Sequence, residues 1–156
     1  MKKRIIFIRH AQSKVNANEI NHPSEITNCR ITNKGKDQAS KLDFSFDLLI
    51  VSPLKRALET YVHSNIKVHN VIISDLFQEL KIHNSNMLDN VDHSKMETIE
   101  ELDIRTQNAL NFLMSLPYEN IGVISHHDFL NYFFKKKFDK DVSLDNCQSF
   151  FIETVI

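Results

Sequence analysis

The sequence predicts an α/β fold, a three-layer sandwich with a mostly parallel central sheet and helices on both faces. Three observations lead there. Uninterrupted apolar runs stand at residues 5–8, 48–51 and 121–124, and short runs without alternation read as strands covered on both sides. Segments of helical period lie between them. Each run also ends abruptly in polar residues, Arg9-His10, Ser52-Pro53 and Ser125-His126-His127. No composition shift marks a linker, so residues 1–156 are expected to form one domain with its own core.

Taken in order, residues 5–8 give the first strand, and residues 12–32 form a polar loop rich in Asn and Ser, long enough to line a site. Thr32 is a plausible N-cap for a helix over 34–42 with Ala39 and Leu42 facing inward. Residues 47–51 form the second strand, and Pro53 suits the first turn of a helix reaching about residue 63. A weaker strand is expected at 71–74. Residues 75–95 keep no single period and read mostly as loop. Thr98 with Glu101 resembles a capping box opening a helix to about Leu116, which Pro117 stops. The third apolar run follows, then a helix carrying Phe129, Leu130, Phe133 and Phe134, and residues 149–154 close the sheet.

Composition narrows the functions. Nineteen Lys and Arg against 20 Asp and Glu leave a formal net charge of -1, so no general affinity for nucleic acid is expected. Lys135, Lys136 and Lys137 read as a solvated helix end that complements the dipole. The two cysteines, Cys29 and Cys147, show no metal-ligand spacing, and a reduced, cytoplasmic setting is the simpler expectation. No run approaches membrane-spanning length, and the N-terminus lacks the pattern of a signal peptide. With only two glycines, Gly35 and Gly122, a glycine-rich nucleotide loop is excluded.

What remains is a constellation at strand ends. In an open parallel sheet the ligand crevice lies beyond the carboxyl ends of the strands. Three runs deliver Arg9 with His10, Ser52 with Arg56 one turn into a helix, and His126 with His127 to that edge. Any one of these alone is equally the polar end of a buried strand. Together, two arginines, several histidines and a helix N-terminus describe a site for a tetrahedral dianion, with phosphate the obvious candidate. Zinc on His10, His126 and His127 is the chemical alternative. Adjacent arginines repel a dication, and no carboxylate or cysteine stands at ligand spacing, so the anion reading is preferred.

These residues also carry a resemblance. Arg9-His10-Ala11-Gln12-Ser13 with Asn16 resembles the Arg-His-Gly signature of the histidine phosphatase superfamily, in its phosphoglycerate-mutase-like branch. The stretch 31–39 is similar to the family's Leu-Thr-x-x-Gly-x-x-Gln-Ala helix start. Ser52-Pro53-Leu54-Lys55-Arg56-Ala57 with Thr60 resembles its Ser-Pro-Leu-x-Arg-Ala-x-x-Thr block, and Val123-Ile124-Ser125-His126 its late Val-Ser-His-Gly block. The four blocks come in the family's order over nearly the whole chain.

The resemblance implies a metal-independent phosphatase without a cofactor, hydrolysing phosphate monoesters through a phosphohistidine. His10 would be the nucleophile. Arg9, Arg56 and His126 would bind the phosphoryl oxygens, Asn16 would donate to them, and Glu79 in Leu76-Phe77-Gln78-Glu79 would protonate the leaving group. Asp75, Asp89 and Asp92 are the other candidates for that acid. Ala11 and His127 depart from the signature glycines. The Ala11 methyl group either crowds the phosphate or is tolerated at negative φ. His127 either faces solvent or joins the phosphate-binding residues. Thr98 to Arg105 resembles a further family segment, yet Arg105 is read here as a helix-flank charge. The short chain leaves little length for a mutase lid. A small phosphorylated substrate is expected; a phosphohistidine on a partner protein, or binding without turnover, are the alternatives. Nothing in the sequence suggests nucleic acid or membrane partners or an oligomeric state.

Overall fold

The computed structural model describes residues 1–155. In chain order these form β1 (Lys2–Arg9), α1 (Asn33–Ser40), β2 (Ser45–Val51), α2 (Lys55–His63), β3 (Lys67–Ile73), α3 (Ile99–Ser115), β4 (Asn120–Ser125), α4 (His127–Phe138) and β5 (Ser149–Val155), with short 3-10 turns at Pro23–Glu25, Asp75–Phe77 and Asn84–Asn86. The sheet order is β3-β2-β4-β1-β5. All pairings are parallel except that of β5 with β1, so the chain is the α/β sandwich its apolar runs predict.

Alternation inside those runs assigns the layers. Ile5, Phe7, Leu48, Ile50, Ile121 and Val123 share a cluster with the inner faces of α3 and α4. Their neighbours Ile8, Leu49, Val51 and Ile124 share another with Ala57 of α2 and with Leu42 and Phe46. Since successive side chains on a strand point to opposite faces, a strand covered on both must be apolar at every position. Phe133 alone meets the rings of Phe7, Phe77, Phe129, Phe134 and Phe138. Gly122 makes room for the Phe46 ring, which a Cβ at that position would overlap.

Several boundaries differ from expectation for local reasons. The third strand begins at Lys67, four residues early, because an edge strand with mostly exposed residues shows no apolar run. Pro53 lies outside α2, whose N-cap is Leu54. Leu54 offers no side-chain cap. Asn28, in the left-handed region at φ 49°, instead accepts the Lys55 N–H at 2.8 Å. Thr32 and Thr98 cap α1 and α3 as expected. Lys3 is fully buried, and its ammonium donates to the carbonyls of Leu116 and Tyr118 just past α3, where a helix dipole favours a cation.

Candidate active site

Sheet register builds the site. Arg9 pairs with Ser125, and Val51 with Ile124, so the neighbouring strands β2, β4 and β1 end level with one another. The ladder runs one step further: His10 N–H donates to the Ser125 carbonyl at 3.0 Å and Ser52 N–H to that of Ile124 at 3.1 Å. His10, Ser52 and His126 therefore leave the sheet side by side. Loop residues hold this edge from beyond. Cys147 N–H donates to the Arg9 carbonyl at 3.0 Å, and Asn146 Nδ2 to the His10 carbonyl at 3.1 Å.

The cavity above the edge holds about 190 Å³ and is lined by Arg9, His10, Asn16, Arg56, Glu79 and His127 among others. Six of the seven residues singled out from sequence thus meet in one place. His126, the seventh, is fully buried behind His10, with the two ring centroids 5.1 Å apart.

The His10 ring is only 3% exposed. Its Nδ1–H donates to the Ala11 carbonyl at 2.6 Å, and a neutral ring protonated there keeps its lone pair on Nε2. Burial pushes the imidazole well below the ordinary histidine range, Arg56 adds to this, and Arg9 and His127 push the same way against the Ala11 bond. At pH 6, where a free imidazole is mostly protonated, histidine-ring NMR should find His10 neutral with its proton on Nδ1. Titration of that ring at the ordinary value would contradict the arrangement. Burial, then Arg56 and His10, also depress His126 well below the usual range. Ser52 Oγ lies 2.7 Å from its Nε2. When the Ser52 hydroxyl donates there, neutral His126 carries its proton on Nδ1 and remains a donor.

Among the described residues, the buried side-chain nitrogens without a hydrogen-bond partner are Arg9 Nε and His126 Nδ1. Both flank His10. Buried donors are almost always paired, so each of these nitrogens is an exception next to His10. Arg9 otherwise donates to the Leu144 carbonyl at 3.0 Å. Arg56 anchors the wall opposite, donating to the Ser85 carbonyl at 2.6 Å and to Asn86 Oδ1 at 3.0 Å.

Glu79 is buried, not an exposed loop residue. Its Oε1 accepts from Phe129 N–H at 2.7 Å and Leu80 N–H at 3.0 Å, and its Oε2 from Asp128 N–H at 3.1 Å. It thereby caps α4, whose N-cap residue His126 supplies no side-chain cap. Burial raises the carboxyl above the ordinary range against these three bonds. Asp75, Asp89 and Asp92 do not line the cavity; Asp89 pairs with Lys55 at 3.3 Å.

Arg105 corrects the helix-flank expectation. Nε and Nη2 grip the Glu97 carboxylate at 2.7 and 2.8 Å, Nη1 donates to the carbonyls of Leu76 and Gln78 at 3.1 and 2.6 Å, and the guanidinium lies 4.5 Å over the Phe129 ring. It ties the Glu79 segment to α3 and α4. Arg105→Met leaves Glu97 buried without its partner and should lower the unfolding free energy by about 3–5 kcal/mol in urea titration.

The two departures from the glycine signature also find places. Ala11 is buried, is not among the positive-φ residues, and packs with Ile31 and Ala39. Its methyl group is tolerated, and its N–H donates to Thr60 Oγ1 at 2.8 Å. His127 contacts Asp128 Oδ1 through Nδ1 at 2.8 Å and Ser143 Oγ through Nε2 at 2.7 Å. Asn16 is exposed at the rim, and its Oδ1 accepts from Ser13 N–H at 3.1 Å. No group of three or more His, Cys, Asp or Glu among the described residues could hold a metal ion. No helix among them is long and apolar enough to cross a membrane. Ser13, which belongs to the signature stretch, and Cys29, His83, Ser85, Asn86 and Asp128, which no periodicity or motif marks in the sequence, also line the cavity.

A buried histidine at the end of a central strand shares its cavity with two arginines in an α/β sandwich, the groups a tetrahedral dianion would need. Residues 5–153 match the family model of the histidine phosphatase superfamily (branch 1). The chain belongs to that superfamily. Solved structures share the fold. A phosphoserine phosphatase variant from Entamoeba histolytica in complex with phosphoserine superposes with a TM-score of 0.70 at 15% identity, over 96% of this chain and 89% of that one. A putative alpha-ribazole-5'-P phosphatase from Escherichia coli gives 0.65 at 20% identity, over 86% and 79%. A mycobacterial glucosyl-3-phosphoglycerate phosphatase with bound VO3 gives 0.64 at 12% identity, over 96% and 90%. No curated protein sequence gives a significant match.

Proposed function

We propose that this protein hydrolyses small phosphate monoesters through a phosphohistidine on His10. The observation that carries the reading is the pinned, neutral His10 ring, with Nδ1 spent on a carbonyl and Nε2 left as the nucleophile in a cavity that also presents Arg9 and Arg56. Nε2 forms a bond to phosphorus as the bond to the ester oxygen breaks. Glu79 gives its proton to the departing alkoxide, which its raised affinity for a proton favours. Water then attacks the phosphohistidine, Glu79 takes a proton back, and the P–N bond breaks to return the lone pair to Nε2.

Throughout, Arg9 Nε, the Arg56 guanidinium and His126 Nδ1–H donate to the phosphoryl oxygens, whose charge is spread in a loose transition state. Asn16 adds a neutral donor at the rim, and His127 helps wall the phosphate. The names of the structural neighbours, together with the small cavity, support a small phosphorylated substrate. The two free cysteines support a reducing, cytoplasmic setting, and one domain over residues 1–156 suffices for the chemistry.

Reaction with a phosphate-labelled ester, quenched in alkaline denaturant and mapped at alkaline pH, where a P–N bond survives, should place the label on the peptide containing His10. Turnover should be insensitive to chelator. A label elsewhere, or activity lost on chelation, would overturn the reading.

A further inference from the structure

The cavity also describes the group attached to the phosphate. On the phosphatase reading, Arg9 and Arg56 are occupied by the phosphoryl oxygens. Besides Asn16 and His127, which border the phosphate, the remaining wall contains Ser13, Cys29, His83, Ser85 and Asn86, but neither lysine nor a third arginine. One carboxylate does stand there besides buried Glu79. Asp128 lines the cavity with its side chain half exposed.

Its placement is fixed. The backbone N–H of Asp128 is held by Glu79, and its Oδ1 by His127, whose other ring nitrogen meets Ser143. A neutral His127 satisfies both contacts, donating from Nδ1 to Asp128 and accepting the Ser143 hydroxyl proton at Nε2. With Oδ1 held by His127, Asp128 Oδ2 is left for a ligand. A carboxylate or second phosphate on the leaving group would face the Asp128 carboxylate with no dedicated cation to offset it. An ammonium would pair with it.

We propose that the site selects phosphate esters of small amino alcohols over esters of hydroxy acids, with Asp128 as the residue that discriminates. This rests on the phosphatase reading for the placement of the phosphate. The charge preference itself needs only that the phosphate binds.

The test uses three esters of equal length: phosphoethanolamine, propyl phosphate and phosphoglycolate. At low salt, kcat/KM for phosphoethanolamine should exceed that for phosphoglycolate by about tenfold, the scale of one partly exposed charge pair. The ratio should collapse toward unity in Asp128→Asn and narrow in high salt. A general loss of activity would leave that ratio unchanged. Equal or better hydrolysis of phosphoglycolate overturns the inference, as does a ratio that survives Asp128→Asn. Calorimetric binding of the three esters to His10→Ala separates the two readings. The expected affinity order without any wild-type turnover keeps the charge preference and removes the phosphatase. Turnover without the order does the reverse, and absence of both removes both.

Discussion

Replacing His10 by alanine should lower kcat on an aryl phosphate by about four orders of magnitude or more, the scale on which loss of a nucleophile acts. The substitution removes the Nε2 lone pair and leaves Arg9, Arg56 and His126 in place. Inorganic phosphate should therefore still bind, and calorimetry on the variant would show it. The scaffold around the ring is independent of the imidazole, because the backbone of residue 10 is held by Ser125 and Asn146. Loss of turnover with binding retained separates chemistry from folding. A variant that keeps even a tenth of the wild-type rate would remove His10 from its role.

Replacing Glu79 by glutamine should have the next largest effect, and one that depends on the leaving group. With an alkyl ester the departing oxygen needs a proton, and kcat should fall by about 10²–10³-fold, within the usual range for a general acid. With p-nitrophenyl phosphate the leaving group is stable as an anion, and the fall should stay within about tenfold. Glutamine also disturbs the α4 cap, since its amide nitrogen cannot accept the Asp128 N–H. That structural cost is common to both substrates, so the ratio of the two effects isolates the proton. Because burial raises the Glu79 carboxyl, its acid form persists to higher pH than an ordinary glutamate's. Wild-type kcat on the alkyl ester should accordingly decline on the alkaline side as that proton is lost, and the decline should vanish in Glu79→Gln. Equal losses on both substrates would leave Glu79 as a cap alone. Such indifference would fit a phosphohistidine on a partner protein, whose imidazole leaving group asks for no strong acid.

The physical basis of both predictions was unequally visible in the chain. Arg9, His10, Arg56 and His126 announce themselves because each follows, directly or within a turn, an apolar run whose end the sheet must bring to the crevice. Only the family resemblance points to Glu79, in a stretch without periodicity, and nothing local to that stretch signals its burial at the N-terminus of α4. Arg105 reads from sequence as a helix-flank charge because its partners lie on the chain as far as 29 residues away, and such a charge looks the same whether it meets solvent or buried carbonyls. Ser52 was noticed as a strand end, while its hold on His126 is a contact across 74 residues.

The sequence by itself determined the strands buried on both faces, the helices between them and the set of cations at their ends, since apolar runs, capping and punctuation are local properties of the chain. The tertiary structure alone decided which polar groups cap which helix, which histidine lines the cavity and which lies buried beside it, and how far burial moves each proton. Those outcomes depend on desolvation and on hydrogen bonds between distant segments. Neither has a value until the sheet register has set Arg9 against Ser125 and Val51 against Ile124.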